Sequence, residues 1–97
     1  MRLFDKLFGR AAPHGANETT VADSTKAIIG LCEVVDADPN ARALSEQTIK
    51  QAAGVLYLAG GLRLMQVVQQ EVARRSKYGD YVNRLWAGLF GWPGPNR

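Results

Sequence analysis

The side chains able to do chemistry are few in this sequence, and their spacing leaves them little to do. One histidine, His14, and one cysteine, Cys32, occur in 97 residues. His14 stands between Pro13 and Gly15 with no second imidazole or thiol nearby to share a metal. One thiol without other candidate ligands cannot make a zinc site either. Cys32, with Leu31 and Val35 beside it, reads as a buried structural thiol, because a reactive thiolate needs exposure and a neighbouring positive charge. A single cysteine forms no internal disulfide, which points to an intracellular compartment. There is no Gly-rich phosphate loop, no Ser/His/Asp grouping and no Glu-x-x-His pair, and no two carboxylates share the apolar side of an expected helix. The expectation is a protein without enzymatic activity, metal or other cofactor.

Two stretches approach a binding motif and miss its defining residues. Asp36, Asp38 and Asn40 match the first three ligand positions of an EF-hand loop, but Ala41 stands at the glycine position and Gln47 at that of the bidentate glutamate. Asp38 as N-cap with Pro39 at the first helical position explains the same letters by helix entry. The stretch TIKQAAGV, set against the entry to a helix-turn-helix, puts Lys50 where a small residue should pack. It also makes VLYLAGGLRL the recognition helix, with one basic residue and almost no donors for base edges.

Charge gives one more candidate. The net charge is +3, but from Glu18 to Thr48 two basic residues face six acidic ones, and from Ile49 onward seven basic face two acidic. The two parts can pair with each other, within a chain or across a dimer. The sharper alternative is an acidic partner for Arg74, Arg75, Lys77 and Arg84, with nucleic acid met through sequence-independent phosphate contacts. Tyr57, Tyr78 and Tyr81 lie on a helix and a turn, and read as core or rim aromatics rather than base-stacking residues.

These residues must be carried by helices. Helix formers dominate, and 46% of residues are apolar, enough for one small domain. Residues 1–10 place Leu3, Phe4, Leu7 and Phe8 on one face and Arg2, Asp5, Lys6 and Arg10 on the other, a short amphipathic helix with basic residues on its polar side. It has no apolar run of the length that a secretory signal needs. Ten residues do not hold a helix in water alone. Burying four large apolar side chains gains roughly 6–12 kcal/mol gross, against about 10 kcal/mol to order ten residues, so docking is expected to be marginal and reversible, whether on the chain's own bundle, a lipid surface or a protein partner. Residues 11–19 read as a connector. A first main helix is expected over about 20–36, opened by a Thr20/Asp23 capping box and stopped before Pro39.

The long stretch 40–76 is the expected centre of the fold. Ala52 to Leu62 carries no charge, and on a 100° wheel the apolar residues form two opposite stripes. Ile49, Ala53, Leu56, Gly60, Leu64 and Val67 lie on one, and Val55, Leu58, Leu62, Met65 and Val72 on the other. A helix apolar on opposite sides must be covered from both. It is expected to run through Gly60-Gly61 continuous or kinked, and its length and Arg63 argue against a membrane span. A last helix over 80–90, capped by Asp80, shows Val82, Leu85, Trp86, Leu89 and Phe90 on one face, followed by a loose tail over 92–97.

The reading is all-α: a small helical bundle of three main helices around a long central helix, plus the short N-terminal amphipathic helix, with the bundle at 20–91. The expected function is that of a helical interaction protein. A homodimer would form through the ridge of Ala52, Ala53, Ala59, Gly60 and Gly61. Residues 1–10 would dock reversibly on a membrane surface or a protein partner, with Leu3, Phe4, Leu7 and Phe8 inserting and Arg2, Lys6 and Arg10 meeting acidic groups. The expected location is cytoplasmic, peripheral at the inner face of the membrane. A dimeric nucleic-acid-binding regulator is the alternative.

Overall fold

The structure, a computed structural model, describes residues 18–94. The described residues are all-α, with no strand among them. Helix α1 spans Glu18–Ala37, a 3-10 turn Pro39–Ala41, α2 Arg42–Arg75 and α3 Gly79–Trp86. The amphipathic segment 1–10 and most of the 11–19 connector lie outside the described residues.

Helix α1 begins at Glu18, ahead of the expected capping box, so Thr20 is an interior residue and its carbonyl accepts from Ser24 Oγ at 2.6 Å. Its inward face is Thr20, Ser24, Thr25, Ile28 and Cys32, all buried. The helix closes where Pro39 denies it a donor. Asp38 then caps the 3-10 turn, its Oδ1 accepting from Asn40 N at 3.0 Å with Pro39 in the first position, so the DADPN letters serve the joint between helices.

Helix α2 departs most from expectation. It has 34 residues, which as a straight helix would measure about 51 Å, yet the longest extent of the molecule is 36 Å. The reason is Gly61, with φ 70° and ψ −165°, a conformation open in practice only to glycine. The chain turns back there, so Arg42 at the start of α2 and Lys77 just past its end line the same cleft. Gly60 is crowded by the bend: a Cβ on it would lie 2.7 Å from Leu64 Cβ.

The bend cuts across both apolar stripes, so that Leu64 of one and Met65 of the other are buried together on the second arm. Over 42–60 the buried face is Ser45, Thr48, Ile49, Ala52, Ala53 and Leu56, and beyond the bend it is Leu64, Met65, Val68, Gln69 and Val72. The second face is displaced from the first by roughly half a turn of the wheel, which reads as opposite flanks only if the wheel is carried through Gly61. The expected rod covered on both sides is not formed. The first arm buries one side, while Leu58 on the other stays 87% exposed.

At the far end of α2, Ser76 closes the helix through its N–H and its hydroxyl, both donating to Val72 O. Gly79 opens α3, buried against Ala73, where a Cβ would come within 2.5 Å of Ala73 Cβ. Helix α3 stops at Trp86, four residues short of the expected end. Gly88 (φ 85°), Phe90 (φ 53°) and Gly91 (φ 77°) carry the chain through left-handed turns. Trp86 seals the core, its Nε1–H donating to Ile49 O at 3.0 Å. The tail is tied down as far as it is described. Trp92 is 8% exposed, edge-on to Trp86 at 5.3 Å, and donates to Asn83 Oδ1, while Gln66 donates to Gly94 O. No helix among the described residues is long and apolar enough to cross a membrane.

Candidate functional site

The bend in α2 gives the molecule two ends. At one, the close of α1, the start of α2 and the entry to α3 meet around a cleft of about 340 Å³ lined by Cys32, Val35, Asp36, Arg42, Lys77, Tyr78 and Tyr81. Its rim repeats one arrangement twice. Asp36 accepts from Tyr78 Oη at 2.6 Å and pairs with Lys77 Nζ at 3.2 Å, and Glu46 accepts from Tyr81 Oη at 2.5 Å and pairs with Arg42 Nε at 3.0 Å.

The electrostatics follow from these contacts. The Tyr78 phenol and then Lys77 hold the Asp36 carboxyl below its ordinary value, and Tyr81 and then Arg42 do the same for Glu46. Both phenols are pushed up to about 12, Tyr78 chiefly by the bond it donates to Asp36 and Tyr81 chiefly by burial. Burial, with Asp36 and Glu33 nearby, raises the Cys32 thiol to about 12 as well, so the thiol is inert at neutral pH. Two cations and two carboxylates balance at the rim, and each carboxylate is held ionised by donors. The arrangement locks three chain segments together.

The other end carries Gly61 and an apolar surface. Gly54, Tyr57 and Leu58 are i, i+3 and i+4 neighbours on the first arm of α2. The Phe90 ring, delivered by the left-handed turns after α3, lies over Gly54, where a Cβ would be 3.5 Å from Phe90 Cζ, and stacks on Tyr57 with centroids 4.8 Å apart. Leu58 is 87% exposed, Phe90 47% and Tyr57 39%. No charged residue occurs between Gln51 and Leu62, or between Leu85 and Gly94.

The residues singled out from sequence are distributed unevenly. Leu3, Phe4, Leu7, Phe8, Arg2, Lys6 and Arg10 lie outside the described residues. Ala52 and Ala53 are fully buried in the chain's own core and Ala59 packs against it, which leaves Gly60 as the exposed member of the small-residue ridge. Arg74 and Arg75 both pair with Glu71, at 2.7 and 2.8 Å, and Lys77 with Asp36, so three of the four cations of the basic patch already have a carboxylate partner, while Arg84 is exposed on α3. Sequence reasoning did not find the Asp36–Tyr78 and Glu46–Tyr81 pairs, whose members are 42 and 35 residues apart. Nor did it find the Phe90 surface, which required knowing that α3 stops early. Comparison of the chain with family models, curated proteins and solved structures finds no match in any of the three.

Proposed function

We propose that this protein is a non-enzymatic helical interaction module that self-associates and docks reversibly, through its N-terminal amphipathic segment, on a membrane surface or a protein partner. The observation that carries this reading is the apolar surface of Tyr57, Leu58 and Phe90, exposed beside a charge-free stretch of helix. A leucine standing almost wholly in water within such a cluster is characteristic of a contact surface. Leu44, 65% exposed, lies two heptads before Leu58 on the same outward side of α2, and the two offer a second copy a narrow stripe along the first arm. The segment 1–10 adds four apolar side chains and three cations suited to an acidic lipid surface. The corresponding location is the cytoplasmic side of a membrane, in peripheral contact.

Cosedimentation with anionic vesicles, with and without residues 1–10, tests the docking claim: the full chain should pellet and the shortened chain should not, and equal binding removes the anchor. Light scattering at two concentrations tests self-association. The basic patch ranks after this reading, because Glu71 and Asp36 offset the charge of Arg74, Arg75 and Lys77 and weaken the field an acidic partner would meet.

A further inference from the structure

The chain outside the described residues leaves the fold at the apolar end. Asp36, in the last turn of α1, is bonded to Lys77 and Tyr78 at the cleft. Helix α1 has 20 residues and rises about 30 Å, with Thr20, Val21, Ser24 and Thr25 packed into the molecule. Glu18 therefore lies at the end remote from the cleft, as Gly61 does, and residues 1–17 start from there. Residues 11–17 reach up to about 25 Å when extended. Residues 3–8 as a helix occupy about 8 Å, the scale of one helical turn bearing Tyr57 and Leu58 with the Phe90 ring beside it.

We infer that the Tyr57–Leu58–Phe90 surface is the seat of this chain's own residues 3–8, with Leu3, Phe4, Leu7 and Phe8 docked in cis. The tether sets an effective concentration on the order of millimolar, so in a dilute sample the segment outcompetes a second copy for the seat. The stretch around Leu58 and the turns that carry Phe90 bear no charge, and the nearest cation on that face of α2, the exposed Lys50, stands two turns before Tyr57. The inference rests on the proposed function in that the same four side chains would reach lipid, and it adds the regulation. While seated they are withheld from a membrane and cover Leu58 against a second copy.

Hydrogen exchange read by mass spectrometry, on the full chain and on Leu58→Asp and Phe4→Asp, tests this at two protein concentrations. The peptide covering residues 3–8 should exchange about tenfold slower in the full chain than in either variant, equally at both concentrations, with α1 and α2 equally protected in all three proteins. Protection that vanishes on dilution gives the seat to a second copy and overturns the inference, as does equal exchange of residues 3–8 in the full chain and both variants. Anionic-vesicle binding separates this from the anchor claim. Leu58→Asp should bind several-fold more tightly than the full chain. If removing residues 1–10 abolishes binding while Leu58→Asp binds no better, the anchor stands and the seat falls. If removing them changes nothing, the anchor falls and the exchange result alone decides the seat.

Discussion

At Gly61 one backbone conformation separates two different proteins. Were α2 a continuous helix, replacing this glycine by alanine would stabilise it by about 1 kcal/mol through helix propensity. With φ at 70° and ψ at −165°, a Cβ is instead strained, and Gly61→Ala should cost about 1–3 kcal/mol. Urea unfolding reads the sign directly. A gain in stability would mean that the chain does not turn back at that residue. Cys32 makes a second residue-scale case, since its thiol is buried and raised to about 12. Alkylation at pH 8 should be slow in the native protein and accelerate with denaturant in step with unfolding, whereas fast labelling of the folded chain would contradict the burial.

Between elements, the cleft rim works as a pair of clasps with a definite pH window. Asp36 and Glu46 have folded values below their ordinary 3.8 and 4.5. Their contribution is present above those ordinary values and is lost as pH falls through the lowered ones. Tyr78 and Tyr81 are raised from 10.0 to about 12, so theirs is present below 10 and is lost as pH rises toward 12. Stability should therefore be flat between about pH 5 and 9 and fall on both sides, and Tyr78→Phe should weaken the alkaline fall. An unchanged alkaline limb in that variant would show that the Asp36 clasp does not hold in solution. The tail supplies the other test at this scale. Trp92, packed edge-on to Trp86, should cost about 3 kcal/mol when replaced by alanine, while a loose tail would cost nothing measurable.

For the molecule as a whole, the turn at Gly61 changes what a second copy is needed for. A straight α2 apolar on both sides would require a partner to finish its core. The bent one fills its own core from α1, both arms of α2, α3 and Trp92, so its core needs no second copy and the proposed self-association would fall to the Leu44–Leu58 side. Light scattering of Leu44→Asp and Leu58→Asp variants should then show monomers at concentrations where the parent chain associates, with unfolding midpoints within about 0.5 kcal/mol of the parent because both residues are exposed. A midpoint drop of several kcal/mol would mean that those leucines belong to a core.

What the sequence determined by itself is local. The helical class, the stop before Pro39 with Asp38 as cap, the inward face of Ile28 and Cys32, and the burial of Ile49, Ala53 and Leu56 all follow from spacing within a few turns, where the 3.6-residue period acts directly. Residues 1–10 announce an amphipathic segment by the same rule. The direction of the chain at Gly61 was not legible, because glycine is compatible with a helix interior and with a reversal, and only the packing of Arg42 and Lys77 around one cleft chooses between them. The same holds for Gly79, needed for its approach to Ala73, and for α3 ending at Trp86, where Gly88 and Gly91 permit the turns but core filling by Trp92 selects them. The Tyr–carboxylate pairs and the Phe90 surface join residues dozens of positions apart, and such contacts exist only once tertiary packing has set which elements are neighbours.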